Sequence, residues 1–264
     1  MSIFGFIGCG NMGGALCRAV GSTGIKGDRL LLSDHSRNKA EELAAATDGR
    51  VSDNLTVASR SNYLFLGVKP QVLPKVLEEI APTIKARTDV TVVSMAAGVS
   101  IETIASFLGE VPIIRIMPNT PVSVGKGTVL YATKNASEAQ VSDFLTALQN
   151  AGSLLPLEER LIDAGCALSG CGPAFVYMFI EALSDGAVNC GLSRSDALKM
   201  AAETVRGAAE MVLKTSEHPG VLKDRVCSPA GSTIAGVEAL EKDNFRYAAM
   251  HAVGEAFRRT KELG

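Results

Sequence analysis

The sequence predicts an α/β fold: a doubly wound parallel sheet followed by an all-helical domain. Three observations carry that expectation. Short apolar runs alternate with helix-periodic segments through the first half of the 264 residues. A glycine-rich turn stands directly after the first apolar run. Beyond residue 159 only long helix-periodic segments rich in Ala and Gly remain. The boundary is placed near residue 160, giving domains 1–160 and 161–264.

In order, IFGFIG (3–8), RLLLS (29–33), NYLFLGV (62–68), VTVVSM (90–95) and IIRIM (113–117) read as buried strands. Helical patterns fall between them near 11–20, 37–46, 71–86 and 101–108. GTVLYAT (127–133) adds a strand, and 138–150 a helix. After SLLPLEE (153–159), helices are expected over 173–189, 194–215, 229–241 and 244–262.

Composition narrows the function classes. Hydrophobic residues make up 47% and charged residues 20%, and the net charge of −2 offers no basic field to nucleic acid or an anionic membrane. The six cysteines (9, 17, 166, 171, 190, 227) form no C-x-x-C pair and no metal-ligand rhythm with the three histidines, so reduced thiols of a cytoplasmic protein are expected, with no metal. The N-terminus has no basic region ahead of its first apolar run, so no cleaved leader is expected. The longest uncharged run, 164–180, is interrupted by Gly170, Gly172 and Pro173 and reads as a buried helix behind a glycine turn, not a membrane span.

GFIGCGNMGGA supplies Gly8-x-Gly10-x-x-Gly13 between a strand and a helix. Gly8 permits the tight turn, Gly10 a close approach of pyrophosphate to the backbone, and Gly13 close packing of helix on strand. The pattern fits the Rossmann fingerprint, with an anion at the helix N-terminus, and its place at the first strand of a βαβ pattern favours that reading over a plain glycine-rich turn. Asp34 ends the second strand, where an acidic residue holds the ribose hydroxyls of NAD. Ser33, Ser36, Arg37 and Lys39 crowd the same turn and suit the 2′-phosphate of NADP. Late in the chain, CSPAGSTIAG (227–236) opens a helix with Ser228 as N-cap and Pro229 as first helical residue. The small residues that follow serve either ordinary capping or the close approach of an anion.

Taken together the chain resembles the pyrroline-5-carboxylate reductase family. The likeness rests on FIGCGNMGGA (6–15), FLGVKPQVLPKVL (65–77), VVSMAAGVS (92–100), RIMPNTPVSVGKG (115–127), LSGCGPAF (168–175) and HPGVLKDRVCSPAGSTI (218–234). The resemblance implies a Rossmann domain, a helical dimerisation domain that interlocks with a second subunit, and NAD(P)H-dependent reduction of Δ1-pyrroline-5-carboxylate to proline, usually with NADPH preferred. It implies cofactor contacts from Gly8, Cys9, Gly10, Asn11, Met12 and Gly13, from Asn54, Val68, Lys69 and Pro70, and from Met95, Ala96 and Ala97. Asn119 either borders the nicotinamide or stabilises its own turn. The substrate loop falls on Val226 through Thr233, with Val226, Ser228, Gly231, Ser232 and Thr233 as contacts and the Thr233 hydroxyl set against the ring nitrogen. Two positions depart from the family pattern: Ala230 and Cys171 stand where Gly and Ser are usual.

A cyclic imine is already electrophilic, so orientation is the main demand on the site. A β-hydroxyacid dehydrogenase would need a lysine four residues beyond its glycine turn, and after Gly172 that position is Val176. Reduction of a six-membered imine such as piperideine-carboxylate, and a non-catalytic nucleotide sensor, remain as alternatives. His218 reads as a loop-ordering residue, and His35 and His251 as surface or packing residues. The helical half is expected to build at least a homodimer, because its small-residue helices have no sheet to cover them.

Overall fold

A computed structural model describes residues 1–263. Eight strands form one sheet in the order β3-β2-β1-β4-β5-β6-β7-β8. They are β1 (Phe4–Ile7), β2 (Leu30–Ser33), β3 (Arg50–Val51), β4 (Tyr63–Leu66), β5 (Thr91–Ser94), β6 (Ile113–Met117), β7 (Gly127–Lys134) and β8 (Gly152–Pro156). The first six pair in parallel, as expected. β7 runs antiparallel to β6, with Met117 opposite Leu130, and β8 runs parallel to β7. The expected parallel sheet thus carries one antiparallel pair, because the 118–126 connection is too short for the crossover that a parallel neighbour requires.

Alternate side chains of each strand point to opposite faces. Phe4, Phe6, Tyr63, Phe65, Ile114 and Ile116 meet α1 (Asn11–Ser22), α2 (Arg37–Thr47) and α6 (Glu138–Ala147). The Phe4–Tyr63 and Phe6–Phe65 rings stack across the β1–β4 pair at 4.9 and 4.4 Å. Ile7, Leu64, Leu66, Val92 and Ile113 face α3 (Asn54–Arg60), α4 (Leu73–Lys85) and α5 (Ile101–Leu108). Both faces are therefore dry, which is why the strands read as continuous apolar runs.

The chain divides into two compact units, Met1–Cys171 together with the residues from Ala256 onward, and Gly172–Glu255. Residues 157–171 thus lie in the first unit, and polar contacts fasten them to the sheet. Arg115 of β6 is 4% exposed. It donates from Nη2 to Asp163 Oδ1 at 2.8 Å and from Nη1 to Glu159 Oε1 at 3.2 Å. The same Glu159 oxygen accepts the Ile101 N–H at the start of α5, at 2.6 Å. Downstream, α7 (Ile162–Gly165) runs into a π-helical turn over Cys166–Gly170.

The second unit contains α8 (Gly172–Asn189), α9 (Arg194–Thr215), α10 (Pro219–Arg225), α11 (Ser232–Lys242) and most of α12 (Phe245–Leu263). α8 and α9 pack together, and Arg194 ties α9 to Ser184 and Asp185. Phe179 and Phe245 meet at 5.5 Å. Large apolar side chains stay exposed, among them Met178, Leu213, Tyr247 and Met250. The helical run Glu159–Asn189 is long and apolar enough to cross a membrane by length and composition. The buried helix expected over 164–180 is instead mostly half-buried within this chain, with Leu168, Tyr177 and Met178 exposed.

Asp163→Ala removes the shorter of the two carboxylate contacts of buried Arg115 and leaves the one to Glu159. Loss of one hydrogen bond to a charged group should destabilise the protein by about 1.5–3 kcal/mol and lower Tm by roughly 3–12 °C. A calorimetric Tm unchanged from wild type would mean that water already solvates Arg115.

Candidate functional site

The glycine turn is built by backbone packing. Gly8 has φ of +103°, and a Cβ there would lie 2.5 Å from the carbonyl carbon of Gly67. A Cβ on Gly13 would lie 2.1 Å from the Gly8 carbonyl oxygen. Gly10 differs, since nothing lies within 4 Å of where its Cβ would be. No packing demand within the described residues explains a glycine at that position. Gly10 is the N-cap of α1, and Gly14 N–H makes the first return bond to Gly10 O at 2.7 Å. The Asn11, Met12 and Gly13 N–H groups ahead of it have no intrahelical partner.

Asp34 is turned toward backbone. Its Oδ2 accepts the Cys9 N–H at 2.6 Å and its Oδ1 the Ser36 N–H at 2.8 Å. Gly8 N–H donates to Ser33 O at 2.8 Å, so the ends of β1 and β2 are laced together. Burial first, and then the Asp34 charge, push the Cys9 thiol up to about 12. Cys9 therefore stays protonated near neutrality and contributes its backbone, not a nucleophile.

A cleft of about 880 Å³ opens beside this turn at the carboxyl ends of the parallel strands. It lies where the strand order reverses between β1 and β4, the ligand position of open α/β sheets. Of the sequence-predicted cofactor residues, Gly8, Gly10, Ser33, Asp34, Asn54, Val68 and Lys69 line it. Cys9, Asn11, Met12, Gly13, Pro70, Met95, Ala96, Ala97 and Asn119 do not. The Asn119 amide is engaged at both ends, accepting Thr128 N–H at 2.8 Å and donating to Ser169 O at 2.9 Å. Sequence reasoning missed Val72, Lys75, Val76 and Glu79, which line the cleft from the start of α4. Their i, i+3, i+4, i+7 spacing marks one helix face and was the available signal. Among the described residues, no three His, Cys, Asp or Glu side chains cluster as a metal site.

The second predicted locus follows α10. His218 caps that helix, its Nδ1 accepting the Gly220 N–H at 3.1 Å. A bidentate Arg225–Glu217 pair spans it at 2.5 and 2.6 Å. The expected helix start is corrected here. Ser228 is not the N-cap, and Pro229 is not helical. Residues 228–231 form a β-turn closed by Gly231 N–H to Ser228 O at 3.1 Å, and α11 begins at Ser232 with Gly231 as N-cap. A Cβ on Gly231 would lie 2.3 Å from Ser228 Oγ. The Gly231 N–H, expected to be open, is thus used by the turn. Ser232, Thr233 and Ile234 hold the N–H groups without intrahelical partners, ahead of the Ala235 bond to Gly231 O. Val226, Ser228, Ser232 and Thr233 are all exposed.

A nucleotide-binding α/β unit with its anion-ready helix at the switch point, followed by a helical unit, defines a dinucleotide-dependent oxidoreductase fold. Residues 159–263 match the family described as pyrroline-5-carboxylate reductase dimerisation, and residues 3–98 match NADP oxidoreductase, coenzyme F420-dependent. The chain is 41% identical to a pyrroline-5-carboxylate reductase of Synechocystis sp., covering 100% of this chain and 99% of that one. It is 42% identical to that of Methanosarcina acetivorans, over 98% and 97%. The crystal structure of Plasmodium falciparum pyrroline carboxylate reductase with NADP bound superposes with a TM-score of 0.88 at 32% identity, covering 100% of this chain and 98% of that one. This chain belongs to the pyrroline-5-carboxylate reductase family.

Ala230 has φ of +54° at the third position of the 228–231 turn. That position favours glycine, and a Cβ there costs about 1–2 kcal/mol, partly offset by the greater unfolded-state freedom of glycine. Ala230→Gly should therefore raise stability by roughly 0.5–1 kcal/mol, read as a higher Tm. A lower Tm would show that the turn does not hold this backbone conformation in solution.

Proposed function

We propose that this protein reduces the C=N bond of Δ1-pyrroline-5-carboxylate to give L-proline, the last step of proline synthesis, using NADPH or NADH. The reading rests on one observation above all: α11 opens behind a tight turn with three N–H groups and the Thr233 hydroxyl presented together. Such a helix start suits the substrate carboxylate, through N–H donors and the positive end of the helix dipole. Ser232 and Thr233 donate from the backbone, and Val226 and Ser228 flank the ring. The Thr233 hydroxyl meets the ring nitrogen, which gains a proton as the C=N bond is reduced.

Beside the cleft, Asn11, Met12 and Gly13 at the start of α1 offer N–H groups to the pyrophosphate, and the open space at Gly10, which lines the cleft, admits it. Asp34 positions that turn by holding Cys9 and Ser36. Asn54, Val68, Lys69 and Pro70 border the dinucleotide, and Met95, Ala96, Ala97 and Asn119 belong to its nicotinamide side. The cofactor, when bound, supplies the hydride. The family's NADP-bound structure supports NADPH, as do Arg37 and Lys39 near the turn. The imine carbon needs no strong general acid, so the chain's contribution is orientation and fixed N–H donors.

The exposed apolar faces of α8, α9 and α12 are covered by a second copy, making a homodimer or a larger assembly of dimers. That arrangement also accounts for the apolar run Glu159–Asn189 without a membrane. The balanced charge and reduced cysteines suit a cytoplasmic enzyme.

Purified protein should oxidise NAD(P)H in the presence of Δ1-pyrroline-5-carboxylate and leave 2-hydroxy and 3-hydroxy acids untouched. Hydroxy-acid turnover without imine reduction would overturn the assignment. Piperideine-carboxylate assayed alongside decides the ring size. Thr233→Val keeps shape and deletes the hydroxyl, so it should lower kcat/KM roughly 10- to 150-fold with Tm unchanged. Near-wild-type kinetics would remove the hydroxyl from the chemistry. In sedimentation at micromolar concentration the full chain should run as a dimer or larger, and a monomer would refute the covering copy.

A further inference from the structure

The wall of the dinucleotide cleft carries a relay of three side chains from three different elements. Ser33 ends β2 and is buried, with its hydroxyl donating to Asn54 Oδ1 at 2.7 Å. Asn54 opens α3 and donates from Nδ2 to Glu79 Oε2 at 2.9 Å. Glu79 stands on the face of α4 that lines the cleft, and Ser33 and Asn54 line it too.

We propose that Glu79, acting through Asn54, fixes the hydrogen-bond polarity of Ser33 and so biases the cleft between a ribose 2′-hydroxyl and a 2′-phosphate. The inference rests on the cleft being the dinucleotide site. An ionised carboxylate only accepts, so the Asn54 amide must turn its NH₂ toward Glu79 and its oxygen toward Ser33. That oxygen also only accepts, so the single Ser33 proton is committed to Asn54. What Ser33 offers the cleft is lone pairs alone. A ribose hydroxyl can donate to them, whereas a phosphate brings only acceptor oxygens at neutral pH and meets acceptor with acceptor. If the amide were reversed, Nδ2 would donate to Ser33 Oγ and release the O–H toward the ligand.

The neighbouring groups do not override this logic. Asp34, next in the chain, has one oxygen on Cys9 N–H and the other on Ser36 N–H. Arg37 lines the same cleft and pairs with Glu41 at 2.8 Å. Its charge, with that of Lys39, favours phosphate whichever way the relay points. Absolute preference is therefore the sum of that attraction and the relay's opposing bias. Glu79 is a positioning residue for cofactor choice, not a catalytic one.

The test is direct binding of NADPH and NADH to the full-length protein, titrated by calorimetry for wild type, Glu79→Gln, Ser33→Ala and the double variant. Glutamine both donates and accepts, so Glu79→Gln permits the reversed amide. The ratio of NADH Kd to NADPH Kd should then rise roughly 10- to 150-fold, the worth of one regained hydrogen bond to an anion. In the Ser33→Ala background the same change should move the ratio less than about twofold, since no hydroxyl remains to reorient. Glu79→Ala, which leaves Asn54 free to turn, should act in the direction of Glu79→Gln. An equal rise in both backgrounds would mean a bare charge effect and overturn the relay, as would an unchanged ratio in Glu79→Gln. A wild-type protein that binds neither dinucleotide would instead overturn the cofactor reading beneath it.

Discussion

Three backbone segments meet at the switch point of the sheet with no side chain between them, and the rest of the site depends on that contact. A Cβ on Gly8 would strike Gly67, one on Gly13 would strike the Gly8 carbonyl oxygen, and one on Gly67 would lie 2.7 Å from that same oxygen. The turn after β1, the start of α1 and the end of β4 are thereby fixed as one piece. The N-terminus of α1 is aimed into the crevice where the strand order reverses. A fuller side chain at any of the three positions would push α1 off the sheet and carry its open N–H groups away from the cleft.

Carboxylates around this contact are used on backbone. Asp34 accepts from Cys9 and Ser36, and Glu159 accepts from Ile101 while pairing with Arg115. Asp53 caps α3 by accepting the Thr56 N–H at 2.7 Å, and that bond holds its carboxyl below the usual range. Each of these bonds ties a carboxylate to a turn or helix start, and the Asp53 carboxylate cannot give up its donor without loosening the α3 cap.

The parts of the fold legible in the sequence are those where burial is two-sided. β1, β2, β4, β5 and β6 lie between helical layers, so each reads as an unbroken apolar run. The elements left unread lack that pressure. Arg50 and Val51 form an exposed edge pair too short for any periodicity. α3 and α10 span seven residues each, and Asp53 and His218 at their caps were the only local signals. The cleft was legible through its glycines and the residues after β2 and β4. Its α4 wall showed only as a helix-face spacing, because Lys75 and Glu79 look like solvated helix positions until the fold brings Glu79 onto Asn54.

In the 227–236 stretch the expected element is misplaced while the number of open helix-start donors is kept. Ser-Pro ahead of small residues fits a cap followed by the first turn of a helix, and the propensities of both residues agree with it. Proline equally suits the second position of a β-turn, and the chain takes that course, closing the Gly231 N–H onto Ser228 O. The turn uses one donor that the helix reading had left open and moves the helix start to Ser232. The open set shifts along the chain to Ser232, Thr233 and Ile234, so the count of donors survives while their identity changes. A Cβ on Gly231 would crowd the Ser228 hydroxyl and carbonyl oxygen. The small residues of this loop therefore divide into two kinds, those that let the chain turn and those at the helix start whose N–H groups have no intrahelical partner.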